Sequence, residues 1–175
     1  GGVMHRREIL ALALLALAGC GGPGDPDAGS TDAPRGDSAT VFDGTLELGE
    51  GEATFRPVTD GDTLLIARGC QGSQHVWITL RTQMLDPRGA TVRLTLTRAS
   101  DGSAASLEFF VRLSFTPDPG GAFAELRALT LQIPTPDDVI GEDLILTGEV
   151  VDRAGHGARA MRTVRVDWGT EVCGG

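Results

Sequence analysis

The chain has 175 residues, 41% hydrophobic and 22% charged, with 25 Gly, 9 Pro and 3 Cys. That suits one globular domain with flexible sequence attached, and excludes a collagen, a coiled coil and a polytopic membrane protein. The net charge of -9 argues against nucleic-acid binding, which needs a basic surface to release counterions. All 15 basic residues are Arg, and the chain has no Lys, Asn or Tyr. Those three residues have AT-rich codons, so the bias speaks of a GC-rich genome rather than of function.

The N-terminus carries the most specific signal. Gly1, Gly2 and Val3 precede Met4 as upstream read-through would. His5, Arg6 and Arg7 form a positive segment, and Ile9 to Ala18 is an unbroken apolar run. A run of that length is too short to span a bilayer of about 30 Å as a helix, and it fits the apolar part of a signal peptide. It ends in Leu17-Ala18-Gly19-Cys20, which resembles the lipobox of bacterial lipoproteins. Small residues let a peptidase hold the backbone extended, and the thiol is the nucleophile that takes up diacylglycerol. The resemblance implies a signal peptide over 1–19 and lipidation at Cys20. Several acyl chains at about 0.8 kcal/mol per buried CH₂ make such an anchor permanent. Gly21 stands where the inner-membrane retention signal would place Asp, so the expected location is the outer membrane or cell surface.

Residues 20–40 are rich in Gly, Pro, Asp and Ser and hold no aliphatic side chain larger than Ala. Such sequence cannot bury enough apolar surface to offset its ordering entropy. It is expected to be a disordered tether, with the folded domain over 41–175. Without Arg6, Arg7 and Glu8 the chain keeps 13 Arg and 23 acidic residues, a net charge of -10.

From Val41 on, apolar residues recur with period two. The alternation predicts strands over Thr45–Leu48, Glu52–Arg56, Thr63–Ala67, His75–Gln83, Thr91–Arg98, Leu107–Phe115, Glu125–Ile133, Leu144–Val151 and Met161–Trp168. Turn residues separate them, among them Asp60-Gly61, Asp86-Pro87-Arg88-Gly89, Asp101-Gly102 and Arg153-Ala154-Gly155. Pro136–Gly141 has room for one short helical turn. Eight or nine short strands at this spacing predict an all-β, antiparallel β-sandwich. The segment Leu144 to Gly155, followed by Val164-x-Val166, resembles the final hairpin of bacterial immunoglobulin-like and fibronectin-III-like domains. There Asp152 and Gly155 would shape the turn. Gln71-Gly72-x-x-His75-Val76-Trp77 is similar to a run in uncharacterised lipoproteins of GC-rich proteobacteria such as myxobacteria, and implies no activity.

With Cys20 taken by lipid, Cys70 and Cys173 remain as an even pair in an oxidising compartment, and a disulfide between them is expected. It would close a loop of about 100 residues, for which chain entropy gives about 4.7 kcal/mol.

Catalytic signals are few. His75 and His156 have no partner at ligand spacing, so no zinc motif is present. No Gly-x-Ser-x-Gly elbow and no phosphate-cradling loop occurs. No catalytic residue, metal or cofactor is expected. The acidic turns at Asp60-Gly61-Asp62, Asp137-Asp138 and Glu142-Asp143 do not match a Ca²⁺ loop, and solubility explains them more simply.

A candidate binding face comes from the residues that alternate with the aliphatic rows. His75, Trp77 and Arg81, then Arg93, then Phe110 and Arg112, would point outward if their strands share one sheet. That surface is aromatic and basic on an acidic chain, and suits stacking on sugars or pairing with anionic polymers. Burial of Trp77 against the core is the competing expectation, and Trp168 is expected in the core with Val164 and Val166. The leading functional expectation is a non-catalytic binding or structural module of the cell envelope, with a glycan or protein partner. The alternatives are an envelope hydrolase or metal-dependent accessory enzyme with a spatially assembled site, and a spacer domain.

Overall fold

The computed structural model describes residues 39–69 and 72–169. Residues 1–38, where a signal peptide and most of a tether are expected, and Cys20, Cys70 and Cys173 lie outside the described residues, so the lipidation and disulfide expectations do too. Strands make up 57% and no α-helix occurs among the described residues, which places the domain in the all-β class.

The described residues form eleven strands: β1 (Val41–Phe42), β2 (Thr45–Glu50), β3 (Arg56–Pro57), β4 (Thr63–Arg68), β5 (Gln74–Gln83), β6 (Ala90–Arg98), β7 (Phe109–Leu113), β8 (Thr116–Pro117), β9 (Ala124–Gln132), β10 (Leu144–Val151) and β11 (His156–Trp168). One 3₁₀ turn, Pro136–Asp138, sits where the sequence left room for it. The strands join in the order β3-β2-β5-β4-β11-β10-β6-β7. β9 pairs with β5 and carries β8, while β1 lies along β11. Together they curve into a half-barrel.

The sheet is mixed, which corrects the expectation of a wholly antiparallel one. β1 and β4 both run parallel to β11, with Val41 opposite His156 and Thr63 opposite Arg165. Alternation within a strand tells which face is buried, not which way a neighbour distant in sequence will run. Glu52–Arg56 is also corrected. It forms a loop rather than a strand, with only Arg56–Pro57 paired to β2.

The core fills the inside of the curve. Val76, Ile78 and Leu80 of β5 and Leu48 of β2 join Val92, Leu94 and Leu96 of β6 and Leu144, Leu146 and Val150 of β10 in one buried cluster. Gly148 marks a close approach between the two sides. A Cβ there would lie 2.6 Å from Leu48 Cδ2 and 3.4 Å from Leu94 Cδ2. Burial of these rows is the main stabilising term, about 25 cal/mol per Å² of apolar area removed from water.

The last hairpin closes as its sequence suggests. β10 and β11 pair in register from Leu144–Val164 to Val151–Gly157. Asp152 accepts the N–H groups of Ala154 (2.8 Å) and His156 (3.0 Å), and Gly155 supplies φ of 91°. Asp152 also accepts the N–H of Asp86 at 3.1 Å, tying the β5–β6 turn to the hairpin.

Candidate functional site

The six residues of the expected face do not form one surface. His75, Trp77 and Arg81 lie on β5, whereas Arg93 lies on β6 and Phe110 and Arg112 on β7. In the sheet order β4, β11 and β10 stand between β5 and β6. These two strands are consecutive in the chain yet not neighbours in the sheet, and alternation cannot reveal that.

The outward row of β5 is largely covered. The loop after β2 folds back across it: Gly51 N–H donates to the carbonyl of Trp77 at 3.2 Å, and the Thr79 hydroxyl donates to the Gly51 carbonyl at 2.8 Å. Thr79 is therefore fully buried despite its outward register. The Arg81 guanidinium is stacked between the rings of Phe55 (3.9 Å) and Phe123 (4.3 Å) and paired with Glu125. Arg127 binds the same carboxylate, its Nε donating at 2.6 Å. Burial pushes the Glu125 carboxyl up, but bonding and charge from Arg81 and Arg127 outweigh it and hold the group below its usual range. Arg81 is thus a filled structural site. Its partners Phe55, Phe123 and Glu125 carried no sequence signal, because Phe55 comes from the loop after β2 and the other two from around the start of β9, both distant from Arg81 in sequence.

His75 is buried, and its Nε2 has no hydrogen-bond partner among the described residues. Burial lowers its pKa, against a weaker opposing pull from Glu52. Its ring meets Trp77 edge-on at 4.7 Å.

Trp77 is half-buried, between the two outcomes the sequence left open. It lines a cleft of about 280 Å³ together with Val76, Leu65, Ala67, Glu50 and Glu52. The topology makes this cleft. β2 pairs with β5 along Ile78–Gln83, whereas β4 pairs with it only at Gln74 and His75. Between those two ladders β5 opens at Val76 and Trp77, and the aromatic ring forms one wall. Leu65, which is exposed, forms another, and Glu50 and Glu52 complete the lining. Glu50 is paired with Arg56. Glu50, Glu52 and Leu65 carried no sequence signal, because nothing in the local pattern places the end of β2 beside β4.

On β6 and β7, Phe110 is exposed and Arg93 lies over its ring at 5.1 Å, while Arg93 Nε also meets Glu108 at 2.9 Å. Trp168 is partly buried against the core and covered by Arg68 at 4.1 Å. Two of the acidic turns spend their carboxylates within the fold: Asp62 accepts from Thr59, Asp60 from the Thr163 N–H, Glu142 from Arg98 and Asp143 from Arg165. No group of three or more potential metal-ligating side chains occurs among the described residues. His156 pairs with Asp43 at 2.9 Å on the surface. Comparison with protein-family models, curated proteins and solved structures found no match.

Proposed function

We propose that the chain is a lipid-anchored protein of the outer membrane or cell surface, and that its domain is a non-catalytic binding module using the Trp77 cleft. The observation that carries this reading is the half-buried Trp77 ring in a cleft lined also by Glu50 and Glu52. An apolar ring packs against the C–H face of a sugar, and nearby carboxylates accept hydrogen bonds from its hydroxyls. A glycan of the envelope is therefore the partner class that fits best. The anchor rests on the lipobox at Cys20. An immunoglobulin-like sandwich is the finer reading of this fold, favoured by the packing of Gly148 of β10 against Leu48 of β2, strands far apart in the sheet order.

The test uses the full chain with Trp168→Phe, which leaves Trp77 as the single tryptophan. Soluble peptidoglycan fragments and envelope polysaccharide are titrated while Trp77 emission is followed. A saturable emission change with one glycan, lost in Leu65→Ala and Glu52→Gln at unchanged melting temperature, is the expected outcome. No emission change with either class overturns the reading.

A further inference from the structure

We propose that β7 is a self-recognition edge, through which two copies of this chain join into one continuous sheet. β7 ends the strand order, and among the described residues it pairs only with β6. It is apolar and open for an edge strand: Phe110 is 57% exposed and Val111 40%. An exposed apolar edge of this kind is a template for another strand. Leu107 N–H donates to the carbonyl of Gln132 at 2.9 Å, and Glu108 and Phe109 border a cleft shared with Thr130 and Gln132 of β9, so the open edge begins at that cleft and runs to Leu113.

The order of charges identifies the occupant. In an antiparallel pair of β7 strands centred on Phe110, Phe110 faces its own copy, Phe109 faces Val111, and Glu108 faces Arg112. Each facing pair then joins opposite charges or apolar side chains. Glu108, Phe110 and Arg112 share one face, so both ion pairs flank the central aromatic contact. Arg112 has no ion pair among the described residues. Its Cδ and that of Arg153, a like charge, both lie near Gly89. A second copy would bring Glu108 to Arg112, and that carboxylate would then sit between Arg112 and its own Arg93. The arrangement is a closed two-fold one, with the same patch on both subunits. Its small contact makes a weak, concentration-dependent dimer.

The register makes the test specific. In the purified full chain, Phe110→Cys brings the two introduced thiols to a facing position, with Cα atoms about 4.5–5.5 Å apart. Arg112→Cys leaves them about four positions apart along the ladder, roughly 13 Å, beyond disulfide reach. Mild oxidation should yield a 110–110 cross-linked peptide by mass spectrometry, and no 112–112 peptide. By sedimentation velocity, Arg112→Glu should weaken dimerisation roughly ten-fold. Adding Glu108→Arg should restore it in part, because the swap recreates both facing pairs but sets a like charge beside Arg93. Melting curves recorded for each variant separate lost pairing from lost folding. A monomer at every concentration, or cross-linking at 112 as readily as at 110, overturns the proposal. In that case the edge serves a strand of a different protein or none.

Discussion

Asp152 shows how one side chain can hold a turn and a distant loop together. It is 8% exposed and accepts three backbone N–H groups, from Asp86, Ala154 and His156. Burial alone would raise its pKa, but the three donors outweigh burial and keep it ionised below the usual carboxylate range. Asp152→Ala should cost about 1–3 kcal/mol, since it leaves part-buried donors unpaired. Urea unfolding checks this, with the shift expected in the midpoint and not in the slope. An unchanged midpoint would mean that water satisfies the three donors equally well.

At the scale of elements, Gly148 governs how β10 approaches β2. With Leu48 Cδ2 at 2.6 Å from the position of a Cβ, Gly148→Ala must push the two strands apart or force a rotamer change. Overpacking of this kind costs about 1–3 kcal/mol, more than the gain from replacing a strand glycine. Thermal unfolding of the variant should show a lower melting temperature, and a raised one would mean that the strands relax freely. The β5–β9 ladder carries another local irregularity. Its register shifts between Ile78 and Leu80, near Ala128 with φ of 57°. This bulge lets Glu125 meet Arg81 while Leu129 and Leu131 stay buried.

At the scale of the whole molecule, acid should act in two windows. The folded pKa of His75 is depressed, so the unfolded state takes up its proton first. Its contribution is present above the unfolded value of about 6.5 and is lost as pH falls below it. Asp152 and Glu125 are also depressed, and for carboxylates the contribution is present above about pH 4 and lost as pH falls through their folded values. Stability measured against pH should therefore fall first near about pH 6 and again below about pH 4. His75→Phe should flatten the first step and leave the second. Persistence of the first step in His75→Phe would assign it to another group.

Much of the β-architecture was legible in the sequence. Alternation located the strands to within a residue or two at β4, β5, β6, β9 and β10, and Asp152 with Gly155 marked the last turn. These are local properties, set by which side of a strand avoids water and by which residues tolerate a turn. What only the tertiary structure decided was every relation between distant segments. The parallel course of β4 and β11, the separation of the β5 row from β6 and β7, the loop that buries Thr79, and the cleft beside Trp77 all arise from segments that lie far apart in sequence and meet in space. A period of two records exposure along one strand and carries no information about which strand lies next to it.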